Sequence, residues 1–194
     1  MTGDFAGERS PELMSRHDTA LLVVDVQQKL MDRMEYRGLI VWNIGRLIEA
    51  AGVLGLPIAA TEQYPKGLGP TVPELASRLP SPPEKLTFSC CGVESLDRLL
   101  QTDECKKVLV VGIETHVCVL QTAYDLMARG QRVFVAADAV ASQRTFDWKW
   151  ALRRLDSAGV TITTTEGAMF EWCASAGAAE FQEISRLAKQ SAPE

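Results

Sequence analysis

Residues 108–126 read VLVVGIETHVCVLQTAYDL, from Val108 to Leu126. The stretch divides where its apolar period changes. Val108 to Val111 form a continuous, mostly β-branched run, the pattern of a strand covered on both faces. Gly112 ends that run. From Val119 onward the apolar positions Val119, Ala123, Leu126 and Met127 share one face of a helix. A tight turn lies between, and Cys118 falls near the N-terminus of the helix. Free N–H groups and the helix dipole favour a thiolate there. Cys118 is then either a nucleophile or a small buried hydrophobe, the usual state of a free cysteine.

The same alternation repeats on both sides of this stretch. Ala20 to Val24 form an earlier buried strand closed by Asp25, either a strand-end cap or a catalytic group. Strands follow near residues 58, 86, 109, 134 and 161, with helices over 38–53, 93–100, 147–157 and 178–188. Strand–helix alternation implies a parallel sheet with helices on both faces. The expected fold is α/β: a three-layer αβα sandwich with a six-stranded, mostly parallel sheet in Rossmann-like strand order. That order sets strands one and four side by side, with Asp25 and Cys118 at the carboxyl edge where such sheets bind ligands. Residues 1–18 are polar and read as an N-terminal arm that packs loosely or reaches a neighbour. Residues 19–190 read as a single domain.

Composition bounds the function. The 194 residues carry a net charge of -5, which offers no electrostatic case for binding nucleic acid or membrane. No apolar run approaches the length that spans a bilayer, and the first residues lack the apolar core of a secretory signal. The five cysteines then point to reduced thiols and a cytoplasmic location. With only two histidines and no C-x-x-C, a histidine-rich or zinc-type metal site is not expected.

The segment EQYPKGLGPTVPEL, residues 62–75, holds three prolines and two glycines and reads as a mostly irregular pocket-wall loop. Tyr64 lies at its start. Gln27 either orients a substrate or begins a helix. Phe88, Phe170 and Trp172, with Tyr64, are either pocket lining or core. His116 lies two residues before Cys118, and residues so close in a turn rarely face each other, so a structural role is read ahead of a catalytic one. Cys90 and Cys91 read as core packing, with a redox partnership to Cys118 as the alternative.

The segments LLVVDVQ, KLTFS, VVGIETHVCVLQTAYDL and RGQRVFVAADAVASQ together resemble the isochorismatase-like cysteine hydrolase superfamily over roughly residues 18–170. That superfamily includes nicotinamidases and N-carbamoylsarcosine amidohydrolases. The resemblance implies a catalytic set of Asp25, Lys85 and Cys118, and a non-proline cis peptide between Ile113 and Glu114. It also implies an oxyanion hole from the N–H groups of Glu114 and Cys118. The implied reaction is hydrolysis of a C–N bond in a small amide through a thioester on Cys118. The loop TEQYPKGLGP lacks the histidines of the nicotinamidase metal site, so neither metal nor cofactor is expected. True isochorismatases commonly lack the cysteine, so that reaction is not expected either.

Gln27, Tyr64, Phe88 and the side chain of Glu114 are the candidate substrate contacts. Glu114 faces either the pocket or an Arg or Lys outside it. The resemblance also implies a homo-oligomer, a dimer or tetramer, with Phe146–Trp150 and the C-terminal helix as candidate contact surfaces. The alternatives are a catalytically idle scaffold on the same fold and a thiol redox protein.

Overall fold

The structure is a computed structural model and describes residues 9–102 and 104–193. The first strand, β1 (Thr19–Val24), is wholly buried and lies at the centre. It leads through α1 (Gln28–Met31) to α2 (Arg37–Leu54), which stops at Gly55 in the left-handed conformation. Then come β2 (Ile58–Gln63), the short α3 (Pro65–Leu68) and α4 (Pro73–Ala76), β3 (Glu84–Lys85) and α5 (Glu94–Leu100). The central β4 (Lys107–Ile113) passes through a π-helical turn (Thr115–Val119) into α6 (Leu120–Ala128). The chain ends with β5 (Arg132–Ala141), α7 (Thr145–Ser157), β6 (Thr161–Thr163), α8 (Thr165–Cys173) and α9 (Phe181–Ala188).

The sheet order is β3-β2-β1-β4-β5-β6. Every pairing is parallel. Side chains alternate across the central strands because successive Cβ atoms point to opposite faces. Leu21, Val23, Leu109, Val111 and Ile113 enter one core with α2, α8 and α9. Ala20, Leu22, Val24, Val108 and Val110 enter the other with α5, α6 and α7. Each fully buried Val, Leu or Ile contributes about 1.5–3 kcal/mol, so both layers are firmly held.

Several local expectations are corrected. Gly112 does not end the strand, since β4 runs on to Ile113. Its φ of +111° suits glycine, and a Cβ there would stand 2.1 Å from the Val24 carbonyl oxygen. β3 is only two residues long, because the chain after Lys85 turns its carbonyls toward the lysine. The proline-rich loop holds two helical turns, each with proline at its start, where a missing N–H costs nothing. Between β4 and β5 the register breaks: β4 advances from Val110 to Gly112 while β5 advances from Val135 to Val140. Asp138, in that bulge, accepts the Thr165 N–H at 2.8 Å and anchors the start of α8.

The segment before β1 is held more tightly than its polar sequence suggests. Residues 1–8 of the expected arm lie outside the described residues. Met14 is fully buried, and its N–H donates to Glu171 Oε2 at 2.8 Å. Arg9 donates to the Glu171 carbonyl at 2.9 Å, and Lys107 bonds the Leu13 carbonyl and Asp18, both at 2.8 Å. Trp172 is core rather than pocket lining.

Candidate active site

The carboxyl ends of β1, β2, β3 and β4 meet over one small volume. Asp25 follows β1 with φ +51°, in the left-handed region that Asp tolerates better than most residues. That conformation turns the side chain inward, and it is completely buried. Lys85 Nζ lies 2.7 Å from Asp25 Oδ2, and both side chains are almost wholly shielded from solvent. The same ammonium reaches Gln63 Oε1 at 2.7 Å and the carbonyls of Phe88 and Thr87 at 3.0 and 3.2 Å. These acceptors use all three of its protons. Lys85 is thus placed to hold Asp25, with no donor left over for a substrate.

Asp25 Oδ1 accepts the Thr61 hydroxyl at 2.8 Å. Thr61 Oγ1 in turn is 3.5 Å from Cys90 Sγ. Because the single Thr61 proton goes to Asp25, the Cys90 thiol is the donor in that second contact. Cys90 is pushed up to about 11, first by burial and then by Asp25.

Cys118 is buried within the π-helical turn, close enough to Asp25 for the carboxylate to act on its thiol. Burial, then the Asp25 charge, pushes its thiol far above the ordinary range, against the pull of Lys85. This corrects the expectation of a thiolate favoured by the helix terminus. Lys85 is already matched by Asp25, and a second anion in a dry site has nothing to balance it. The resting arrangement is a neutral thiol in the field of a carboxylate that can serve as its base.

The structure brings Asp25, Lys85 and Cys118 together and distributes the remaining candidates around them. Gln27 is buried and fully engaged: Nε2 donates to the Gln63 and Gly69 carbonyls at 3.1 and 2.6 Å, and Oε1 accepts the Gln63 N–H at 2.7 Å. It clasps the loop after β2 and has no free donor for a substrate, which corrects its assignment as a contact. Tyr64 and Phe88 are exposed at the rim, and Phe170 is exposed on α8.

The peptide bond between Ile113 and Glu114 is cis. The Glu114 side chain accepts the Gln143 N–H at 2.9 Å, so it faces the β5–α7 loop rather than an Arg or Lys. An apolar groove of about 380 Å³ runs along the same side of that loop, lined by Tyr36, Leu39, Val140, Ser142, Gln143 and Trp148 among others. None of Asp25, Lys85 or Cys118 lines it. The chemistry is therefore read from the buried cluster, not from the groove.

Thr61 was missed as a site residue, and Gln63 was placed only at the start of the pocket-wall loop. They lie two apart on β2, so they face the same way, and both point at the ion pair. Glu62, between them, faces the opposite side and binds the Thr71 N–H and hydroxyl at 2.6 and 2.7 Å. Among the described residues no group of three or more His, Cys, Asp or Glu side chains is placed to hold a metal ion.

Comparison with known proteins supplies the lineage. A family model described as the isochorismatase domain matches residues 19–167. The chain is 38% identical over 181 residues to isochorismatase domain-containing protein 2 of Danio rerio, covering 93% of this chain and 92% of that protein. The solved structure of the MAR1 ribonuclease from Caenorhabditis elegans superimposes with a TM-score of 0.87 at 39% identity, covering 94% of this chain and 95% of that one. The Escherichia coli YcaC gene product, described as an octameric hydrolase of unknown specificity, shares the fold with a TM-score of 0.81 at 24% identity, covering 93% and 91%. A match that spans most of the domain, from β1 into α8, and whole-length relatives at this identity leave one assignment: the chain belongs to the isochorismatase-like hydrolase family.

Proposed function

We propose that the protein is a cysteine hydrolase that cleaves the C–N bond of a small amide through a thioester on Cys118. The observation that carries this reading is the buried Asp25–Lys85 pair, 2.7 Å long, whose carboxylate acts on the Cys118 thiol. A base beside a thiol is the general arrangement for an activated nucleophile. A buried ion pair is also a poor stability device, since apolar residues of the same volume do as well or better. An idle scaffold would have no energetic reason to keep one, and this weighs against the scaffold reading.

The steps balance as follows. Asp25 takes the Cys118 proton as sulfur attacks the amide carbon, so negative charge moves from Asp25 to the substrate oxygen. The N–H groups of Glu114 and Cys118 stabilise that oxyanion. Collapse breaks the C–N bond, and the Asp25 proton leaves with the amine or ammonia. Water, giving its proton to Asp25, then cleaves the thioester, and the carboxylic acid departs as the thiol is restored. Lys85, fixed by Gln63 and two carbonyls, holds Asp25 in place throughout.

A cytoplasmic, homo-oligomeric enzyme fits the free cysteines and the exposed Phe146 and Trp150 on α7. The deciding experiment is an ammonia-release screen over small primary amides, comparing the native protein with Cys118→Ala. Release that depends on Cys118 is the expected result. Release that survives the substitution removes the covalent mechanism. Because the Caenorhabditis elegans neighbour is called a ribonuclease, the screen carries a single-stranded RNA arm. Cleavage of RNA without cleavage of any amide would replace this reading.

A further inference from the structure

Glu114 stands at the head of the turn that carries Cys118, and its polar groups point in different directions. Its carbonyl accepts the N–H groups of Val117 and Val119 at 3.1 and 3.2 Å and so starts the π-helical turn. Under the reading above, its own N–H serves the oxyanion. Its carboxylate turns away: Oε2 accepts the backbone N–H of Gln143 at 2.9 Å. Oε2 also lies 4.0 Å from His116 Nδ1, and that nitrogen is 2.9 Å from Ser142 Oγ. Ser142 and Gln143 directly follow β5. Two side chains of the nucleophile turn are thus tied to adjacent residues of the next loop. The tie through Glu114 is a hydrogen bond to a charged acceptor, the stronger kind.

We propose that the Glu114 carboxylate is a positioning group, rather than a substrate contact, and that its bond to Gln143 sets the turn so that the Glu114 N–H addresses the developing oxyanion. The Ser142–His116 bond is the second tie. This inference rests on the Cys118 hydrolase reading. It follows from geometry: a donor must sit close to where the oxyanion forms, and the segment carrying this donor is braced from outside the site by its own side chain. A carboxylate that bound a cationic substrate would show its effect in KM. One that braces the turn shows it in kcat.

The test uses p-nitrophenyl acetate as an acyl probe and reads p-nitrophenolate release. Cys118→Ala is the control for the hydrolase reading itself. Glu114→Ala is expected to lower kcat about 100-fold with KM changed less than about threefold, the scale of losing one oxyanion donor. Glu114→Gln keeps an oxygen acceptor for the Gln143 N–H and is expected to recover kcat to within about tenfold of native. Iodoacetamide labelling of Cys118 at pH 9 forms no oxyanion, so its rate is expected to match native in both variants.

A Glu114→Ala kcat close to native overturns the inference and leaves the hydrolase reading standing. So does a loss confined to KM, a failure of Gln to rescue, or a parallel fall in labelling. Undiminished turnover by Cys118→Ala overturns both.

Discussion

At the scale of single residues, the site is an exercise in matching one buried charge. Lys85→Met removes the partner of Asp25 and leaves an uncompensated carboxylate in a dry site. The expected cost is about 3–5 kcal/mol of stability, read as a fall in the urea midpoint. Thr61→Val deletes one hydrogen bond to the same carboxylate. It is expected to lower kcat/KM about 10–100-fold, the worth of a bond to a charged group, while circular dichroism stays native. The buried thiols make stability depend on alkaline pH. Cys90 holds its proton up to about 11 in the native state, whereas in the unfolded chain it gives it up near the ordinary value of 9.0. The stabilisation is therefore complete below pH 9 and lost as pH rises through 11, on the order of 2–3 kcal/mol. Urea midpoints at pH 8 and 11 should fall less in Cys90→Ala than in the native protein. Asp25 and Cys118 were legible as candidates because one closes an apolar run and the other sits where the period changes, whereas Lys85 drew notice only through the resemblance. Thr61 and Gln63 were not legible, since polar residues at strand ends are common and only their spacing of two marked them. The direction of the Glu114 side chain was also hidden. Its partner is a backbone N–H 29 residues away, and no side-chain pattern records that.

At the scale of elements, β4 and its turn decide the geometry. Gly112→Ala would drive a Cβ against the Val24 carbonyl at the β1–β4 seam, one residue from Asp25. Backbone strain of this kind costs about 1–3 kcal/mol before any displacement is counted. The expected outcome is a melting temperature lowered by several degrees together with loss of activity, because β1 and β4 carry two of the three site residues. Hydrophobic period made the central strands and α2 plain, while alternation gave a parallel sheet whose order was borrowed from the usual three-plus-three architecture. The edge elements were harder. β3 is short because carbonyls that would continue it serve Lys85 instead, a tertiary demand with no local signal. The bulge in β5 is likewise a response to Asp138 anchoring α8.

At the scale of the whole molecule, two apolar cores flank one sheet, and the site lies on the rim between them. The exposed rings of Phe146 and Trp150, with centroids 6.1 Å apart on α7, are the surface on which the proposed contact between copies rests. Phe146→Asp is expected to lower the assembly state in sedimentation without unfolding the chain. Both outer strands are very short, β3 with two residues and β6 with three. Short edge strands are one way in which a sheet limits its appeal to another chain's backbone. Under the proposed assembly, copies would meet through helix surfaces such as α7, where side-chain fit limits how many can join.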